Sequence, residues 1–280
     1  MVAISAALLA SIACEGRLGH RQDDQFVQTI GAEGIREVRI DIEEGALSLA
    51  PSESGEIVVD ATVRRAADTA EGLAGLLEMN LQFEVTQPES GLIVLRTPRA
   101  PEGLAPPEHR LIYRTLVRVP PSVRVSGKTG FGHVSGQDLK GHLTLATGHG
   151  DLRIDSCSGG VDVSTGGGAI MVQKHVGPLV VKAGECQTMQ VFVDELSASG
   201  IHLETGVGGI QLHLPGEAKF AMDVMTKEGR ARNSFGVPVE QSSEHPNGKE
   251  MKGDVAGGGP PVVIRAVKGG NVSVRARSGE

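Results

Sequence analysis

The stretch Gly132–Val181 reads GHVSGQDLK GHLTLATGH GDLRIDSCS GGVDVSTGG GAIMVQKHV GPLVV, with glycine at Gly132, Gly141, Gly150, Gly159, Gly168 and Gly177, every nine residues. Two places after each glycine stands an aliphatic residue: Val134, Leu143, Leu152, Val161, Ile170 and Leu179. Two further on come Gly136, Leu145, Ile154, Val163, Val172 and Val181. Alternation at period two marks a short strand with one buried face, and glycine marks a tight backbone turn. A fixed short period of this kind is the signature of a solenoid, in which each unit buries its apolar edge on its neighbours.

A second period of eighteen lies over the first. Thr129-Gly130-Phe131-Gly132, Thr147-Gly148-His149-Gly150 and Thr165-Gly166-Gly167-Gly168 share one pattern, with Ala183-Gly184 as a degraded fourth copy. The intervening corners, such as Asp138 to Gly141 and Ser156 to Gly159, have another character. One coil of about 18 residues therefore holds two strands and two kinds of corner. Stacking places Leu143, Val161 and Leu179 in one inward ladder and Leu152 and Ile170 in another, with strands running parallel about 4.8 Å apart. Asp162 and Arg153 then face outwards. The expected fold is all-β, a parallel β-helix with one short helix near the N-terminal part.

Composition agrees. The chain has 39 glycines, no tryptophan, six phenylalanines and one tyrosine, so its core must be built from Val, Leu and Ile. A formal charge of −7, with both signs mixed along the chain, argues against nucleic acid as a partner. No apolar run reaches the roughly 20 residues of a spanning helix. Cys157 and Cys186 fall in different corner types, on opposite edges of a coil. They are expected to be small, partly buried thiols, too far apart for a disulfide.

Residues 1–13 are apolar, uncharged and end in small residues, as in a signal peptide. Ser11-Ile12-Ala13-Cys14 resembles the lipobox of bacterial lipoproteins, which implies lipidation of Cys14; a plain cleaved signal peptide is the alternative. Residues 14–34 are polar and aperiodic and read as a tether. The segment 35–121 holds strands at 37–42, 47–50, 56–63, 81–85, 92–96 and 111–119. Its helix has Ala70, Leu73, Ala74 and Leu77 on one face, and Asp68 with Glu71 resembles a capping box. A loop with four prolines spans 98–109. The segment 122–277 holds the regular coils and the C-terminal strands. Ile201 sits twenty-two residues beyond Leu179, so about four extra residues must bulge between 185 and 196. Residues 236–259 read as a mobile loop, and 262–264 with 272–274 as a last strand pair.

Site chemistry is sparse. Calcium-binding nine-residue repeats need aspartate in fixed columns, whereas the residues after the glycines are His133, His142, Asp151, Gly160, Ala169 and Pro178. His133, His142, His149 and His175 fall in different columns, without the spacing of a metal site. No two carboxylates stack on an outward face as glycoside cleavage would need. The expectation is therefore no enzyme, no catalytic residues, no cofactor and no metal.

The rungs LTLATGHGDLRIDSCSGGVDVSTGGGAIMV (143–172), the later IHLETGVGGIQLHLP (201–215) and the ending GGGPPVVIRAVKGGNVSVRAR (257–277) resemble the bacterial putative-adhesin domain family, related to GIN-type adhesin heads. The resemblance covers 37–277. It implies a right-handed β-solenoid exported to the cell envelope, periplasmic or on the outer membrane, and carries no functional residues. The expected partners are a membrane, through the lipid on Cys14, and an envelope protein or glycan. A carbohydrate-active β-helix enzyme and an envelope-stress accessory protein are the alternative functions.

Overall fold

The computed structural model describes residues 19–99 and 109–277. It is all-β with one short helix, Ala70–Leu77. Two parallel ladders dominate its middle. In the first, Val125 pairs with Leu143, Leu143 with Val161, and Val161 with Leu179. In the second, Val134 pairs with Leu152 and Leu152 with Ile170. Each partner lies eighteen residues on, as the doubled nine-residue repeat requires. Leu143, Leu152, Val163 and Val181 are buried, while Asp162 and Arg153 are exposed, so the alternation assigns the faces correctly.

Why the corners repeat is visible in the backbone. Gly132, Gly150 and Gly168 have φ of 139°, 150° and 138°. A Cβ on each would fall 2.0, 2.1 and 2.3 Å from the carbonyl oxygen of Gly45, Gly132 and Gly150, the glycine one rung below. Both the left-handed region and the close approach exclude a side chain. The threonines of the eighteen-residue period point inwards and donate to the same carbonyls: Thr129 to Gly45 at 2.9 Å, Thr147 to Gly132 at 2.9 Å and Thr165 to Gly150 at 3.1 Å. Each bond satisfies a buried hydroxyl and contributes about 1 kcal/mol.

The other corner uses a different device. Asp138, Ser156 and Lys174 take left-handed φ of 55°, 53° and 48° without being glycine. The residue after each, Leu139, Cys157 and His175, turns into the core and is buried. Cys157 and Cys186 are both buried and unpaired.

Beyond Val181 the count lengthens as expected. A Cβ on Gly206 would lie 2.5 Å from the carbonyl oxygen of Gly184, so this rung returns after twenty-two residues. Its corner, Thr205-Gly206-Val207-Gly208, is a further copy of the Thr-Gly pattern.

Several expectations need correction. The sheet is mixed, with antiparallel strands at both ends of the parallel stack. At one end Ile57–Ala67 pairs antiparallel with His109–Val119 and with His20–Ile30, and Glu84–Glu89 with Leu92–Arg96. At the other, Lys249–Val255 pairs antiparallel with Phe220–Thr226. A parallel stack leaves unpaired backbone groups on its terminal rungs, and these hairpin-like strands cover them. Residues 20–30 are thus a strand rather than part of a tether, held by ion pairs of Asp23 with Arg64 and Asp24 with Arg65. Residues 249–255 are a strand inside what reads as a loop, with Met251 and Val255 buried.

The last strand pair is not terminal in space. Pro261–Lys268 and Val272–Arg277 pair with 201–215 on one side and with 221–233 on the other, so the chain's final rung is inserted into the stack. The helix is capped by Thr69, whose hydroxyl accepts from the Gly72 amide at 3.0 Å, and not by Asp68. Cys14, the leader and most of the proline-rich loop lie outside the described residues.

Candidate functional site

The column after the Thr-Gly corners, where calcium-binding repeats would place aspartate, has a structural task. The Asp151 amide donates to His133 Nδ1 at 3.2 Å, and the Ala169 amide donates to Asp151 Oδ1 at 2.8 Å. Each side chain therefore caps a backbone N–H of the next rung. Among the described residues no three His, Cys, Asp or Glu side chains are grouped to hold a metal ion.

The remaining histidines are dispersed, as their different columns imply. His142 lies across Gly160, where a Cβ would meet its Nδ1 at 2.4 Å. His175 is fully buried, with Nε2 3.3 Å from the Pro178 carbonyl and Nδ1 without a partner in the described structure. Burial holds its imidazole below the usual range, against the smaller opposite effect of nearby backbone carbonyls. Burial likewise pushes the Cys157 thiol upward, which leaves it a poor nucleophile at neutral pH.

On the outward faces, Asp162 stands between Thr144 and Val180, and Arg153 between Ser135 and Met171. Arg153 reaches Asp155 at 3.5 Å and Gln173 at 3.4 Å. These contacts are those of a solvated face.

The feature that composition does not explain is Phe131. It is 60% exposed in a chain with seven Phe and Tyr residues. Its ring stacks on His149 of the next rung, with centroids 5.6 Å apart and planes within 17°. Backbone register places the two side by side. Gly167 continues the column without a side chain, and Glu185 pairs with it on the following rung. Val207, 41% exposed, stands between Gly206 and Gly208, which overlie Gly184 and Cys186 around Glu185. One edge of the stack therefore shows Phe131, His149, a gap at Gly167, Glu185 and Val207. These displayed side chains are the third residue of each Thr-Gly corner, a position the backbone pattern of the repeat leaves unconstrained.

No family model matches the chain, and no curated protein matches it in sequence. Solved structures overlap it at low scores. One described as a putative cell adhesion protein from Clostridium sporogenes is 11% identical, covers 91% of this chain and 100% of its own, and has a TM-score of 0.38. A putative adhesin from Bacteroides fragilis is 10% identical over 91% of this chain and 97% of its own, with a TM-score of 0.34. One from Parabacteroides distasonis is 11% identical over 90% and 97%, with a TM-score of 0.25.

Proposed function

We propose that the chain is a non-enzymatic binding protein of the bacterial cell envelope, built as a right-handed β-solenoid and held to a membrane by a lipid on Cys14. The handedness is supported by a general rule: a strand that returns parallel to itself through a crossover does so right-handed in nearly all folds. The anchor is supported by the lipobox-like Ser11 to Cys14.

One observation carries the binding function, the exposed Phe131 stacked on His149 at the Thr-Gly corner. Exposed aromatic rings are unfavourable in water and favourable against a sugar face or an apolar partner. Here the ring stands on a corner whose backbone is fixed by glycine geometry and by the threonine bonds. A rigid platform loses little freedom on binding, so more of the contact energy appears as affinity. An envelope glycan or an envelope protein fits this surface.

The test uses the full chain carrying Cys14→Ala, immobilised and offered envelope extract and a glycan array. Capture of one ligand class that His149→Ala abolishes, with the ligand recovered uncut, is the expected result. Capture that survives His149→Ala contradicts the site, and recovery of a cleaved ligand contradicts the non-enzymatic reading.

A further inference from the structure

The outward face of the second ladder changes character after Val181. In the column of His213, five residues after the corner glycine, the earlier rungs show Gln137, Asp155 and Gln173 in succession. Phe192 follows, between buried Val191 and Val193, and His213 stands likewise between buried Leu212 and Leu214. Alternation turns both rings outwards, where they are half-buried. They stack more closely than the corner pair, with centroids 4.4 Å apart and planes within 14°.

The inserted final rung then brings guanidinium groups to this stack. Arg275 is the register partner of His213, and Arg277 that of Pro215. Arg277 forms an ion pair with Asp194, two residues along from Phe192. Arg275 gives its Nε to Ser273 Oγ at 3.0 Å. This bond orients the guanidinium, and its two terminal nitrogens have no partner among the described residues. Arg232, exposed, lies beside Ser273 on the next rung. The imidazole of His213 is held below its usual range, first by partial burial and then by Arg275 and Arg277. Arg275 and Arg277 thus lie beside the ring pair, with Arg277 neutralised by Asp194, in a chain whose net charge is −7.

We propose that Phe192, His213 and Arg275 form a subsite for an anionic glycan bearing ring carboxylates, a uronic-acid oligomer. The sugar's apolar C–H face lies against the outer edge of the ring stack, and its carboxylate takes the two terminal nitrogens of Arg275. A planar guanidinium matches a carboxylate with two parallel hydrogen bonds, which a neutral sugar cannot offer. A bare polyphosphate would satisfy the charge but make no use of the rings. This subsite lies on other rungs than Phe131. It rests on the reading of the chain as an envelope-binding protein only for where the glycan is met.

The experiment is titration calorimetry of the full chain carrying Cys14→Ala with a hexa-uronate, its methyl ester and tripolyphosphate. The uronate should bind, and the neutral ester should not. Arg275→Gln and Phe192→Ala should each weaken binding by roughly ten-fold or more, as loss of a charge-assisted hydrogen bond or of an apolar ring contact does. Their melting temperatures should match the parent, and Val27→Ala, an exposed apolar residue outside both surfaces, should leave uronate affinity unchanged. Equal binding of the ester, binding of tripolyphosphate that ignores Phe192→Ala, or no uronate binding at all would each overturn the subsite. Should uronate binding be absent while envelope capture through His149 persists, the subsite falls and the envelope-binding reading stands.

Discussion

Gly166, Gly167 and Gly168 are consecutive glycines with three different surroundings, and alanine at each separates them. A Cβ on Gly168 would sit 2.3 Å from the Gly150 carbonyl oxygen, at a φ of 138°. The closest comfortable carbon–oxygen approach is about 3.3 Å, so two rungs would have to part by about 1 Å. Left-handed strain alone costs about 1–3 kcal/mol, and the disturbed ladder adds to it. Gly168→Ala should therefore cost about 3 kcal/mol or more, a large part of a typical 5–15. Gly166→Ala meets the Gly148 carbonyl oxygen at 2.3 Å without the φ penalty and should lie between the other two. Gly167 meets the end of a flexible side chain, His149 Nδ1 at 3.2 Å, and the Glu185 carbonyl oxygen at an ordinary contact distance of 3.8 Å, and has no left-handed φ. Gly167→Ala should change stability by less than about 1 kcal/mol, and restriction of the unfolded chain favours the alanine. Urea melts followed by circular dichroism measure all three, with the slope unchanged if only the native state is affected. If Gly168→Ala melted with the parent, or Gly167→Ala lost as much as Gly168→Ala, the stacking of corner glycines would be refuted.

Val163→Asp should cost several kcal/mol by placing an unpaired carboxylate in the ladder core, while Asp162→Asn should cost less than about 0.5 kcal/mol; denaturant melts decide, and the reverse order would exchange the two faces. Because burial depresses the His175 pKa in the folded state, the unfolded chain takes up this proton first as pH falls. The stability His175 provides is complete above its unfolded value of about 6.5 and declines as pH falls below it towards the folded value. His175→Leu, which repeats the Leu139 of its column, should flatten that part of a stability–pH profile, and an unchanged profile would assign the slope to other groups. Cys14→Ala should move the protein from the membrane fraction to the soluble fraction of the envelope, and unchanged fractionation would remove the lipid anchor.

The middle of the fold was legible because its constraints are local. Gly132, Gly150 and Gly168 each need glycine for the same carbonyl contact, and Thr129, Thr147 and Thr165 each donate to it, so chemistry repeats wherever geometry does. The lengthened rung at Thr205 was also countable. The ends were not. A strand pattern such as Val262 to Ile264 shows which face is buried but not which neighbour it pairs with, and its insertion between 201–207 and 221–226 is a choice among similar apolar edges. His20–Ile30 carries little signal in the sequence because an edge strand needs only half a pattern: Phe26 and Ile30 pack against the core while Val27 is 63% exposed. The second corner hid its logic too, since Asp138, Ser156 and Lys174 share a backbone conformation and no side-chain chemistry.

Of the candidate surface, the positions were countable and the exposure was not. Phe131 in a nine-residue repeat can be read as a core residue or a displayed one, and only the register beside His149 decides. Phe192 lies in the stretch where the repeat slips, so its outward direction depends on how the extra residues are absorbed.

The most direct test of the binding function compares two exposed apolar residues on different parts of the molecule. Phe131→Ala and Val27→Ala remove side chains of similar exposure, 60% and 63%, one from the Thr-Gly corner and one from the edge strand. With Cys14→Ala in both, retention on immobilised envelope material is measured beside the melting temperature. Loss of retention in Phe131→Ala, with Val27→Ala and both melting temperatures unchanged, is the result predicted. Equal retention by the two variants would contradict it.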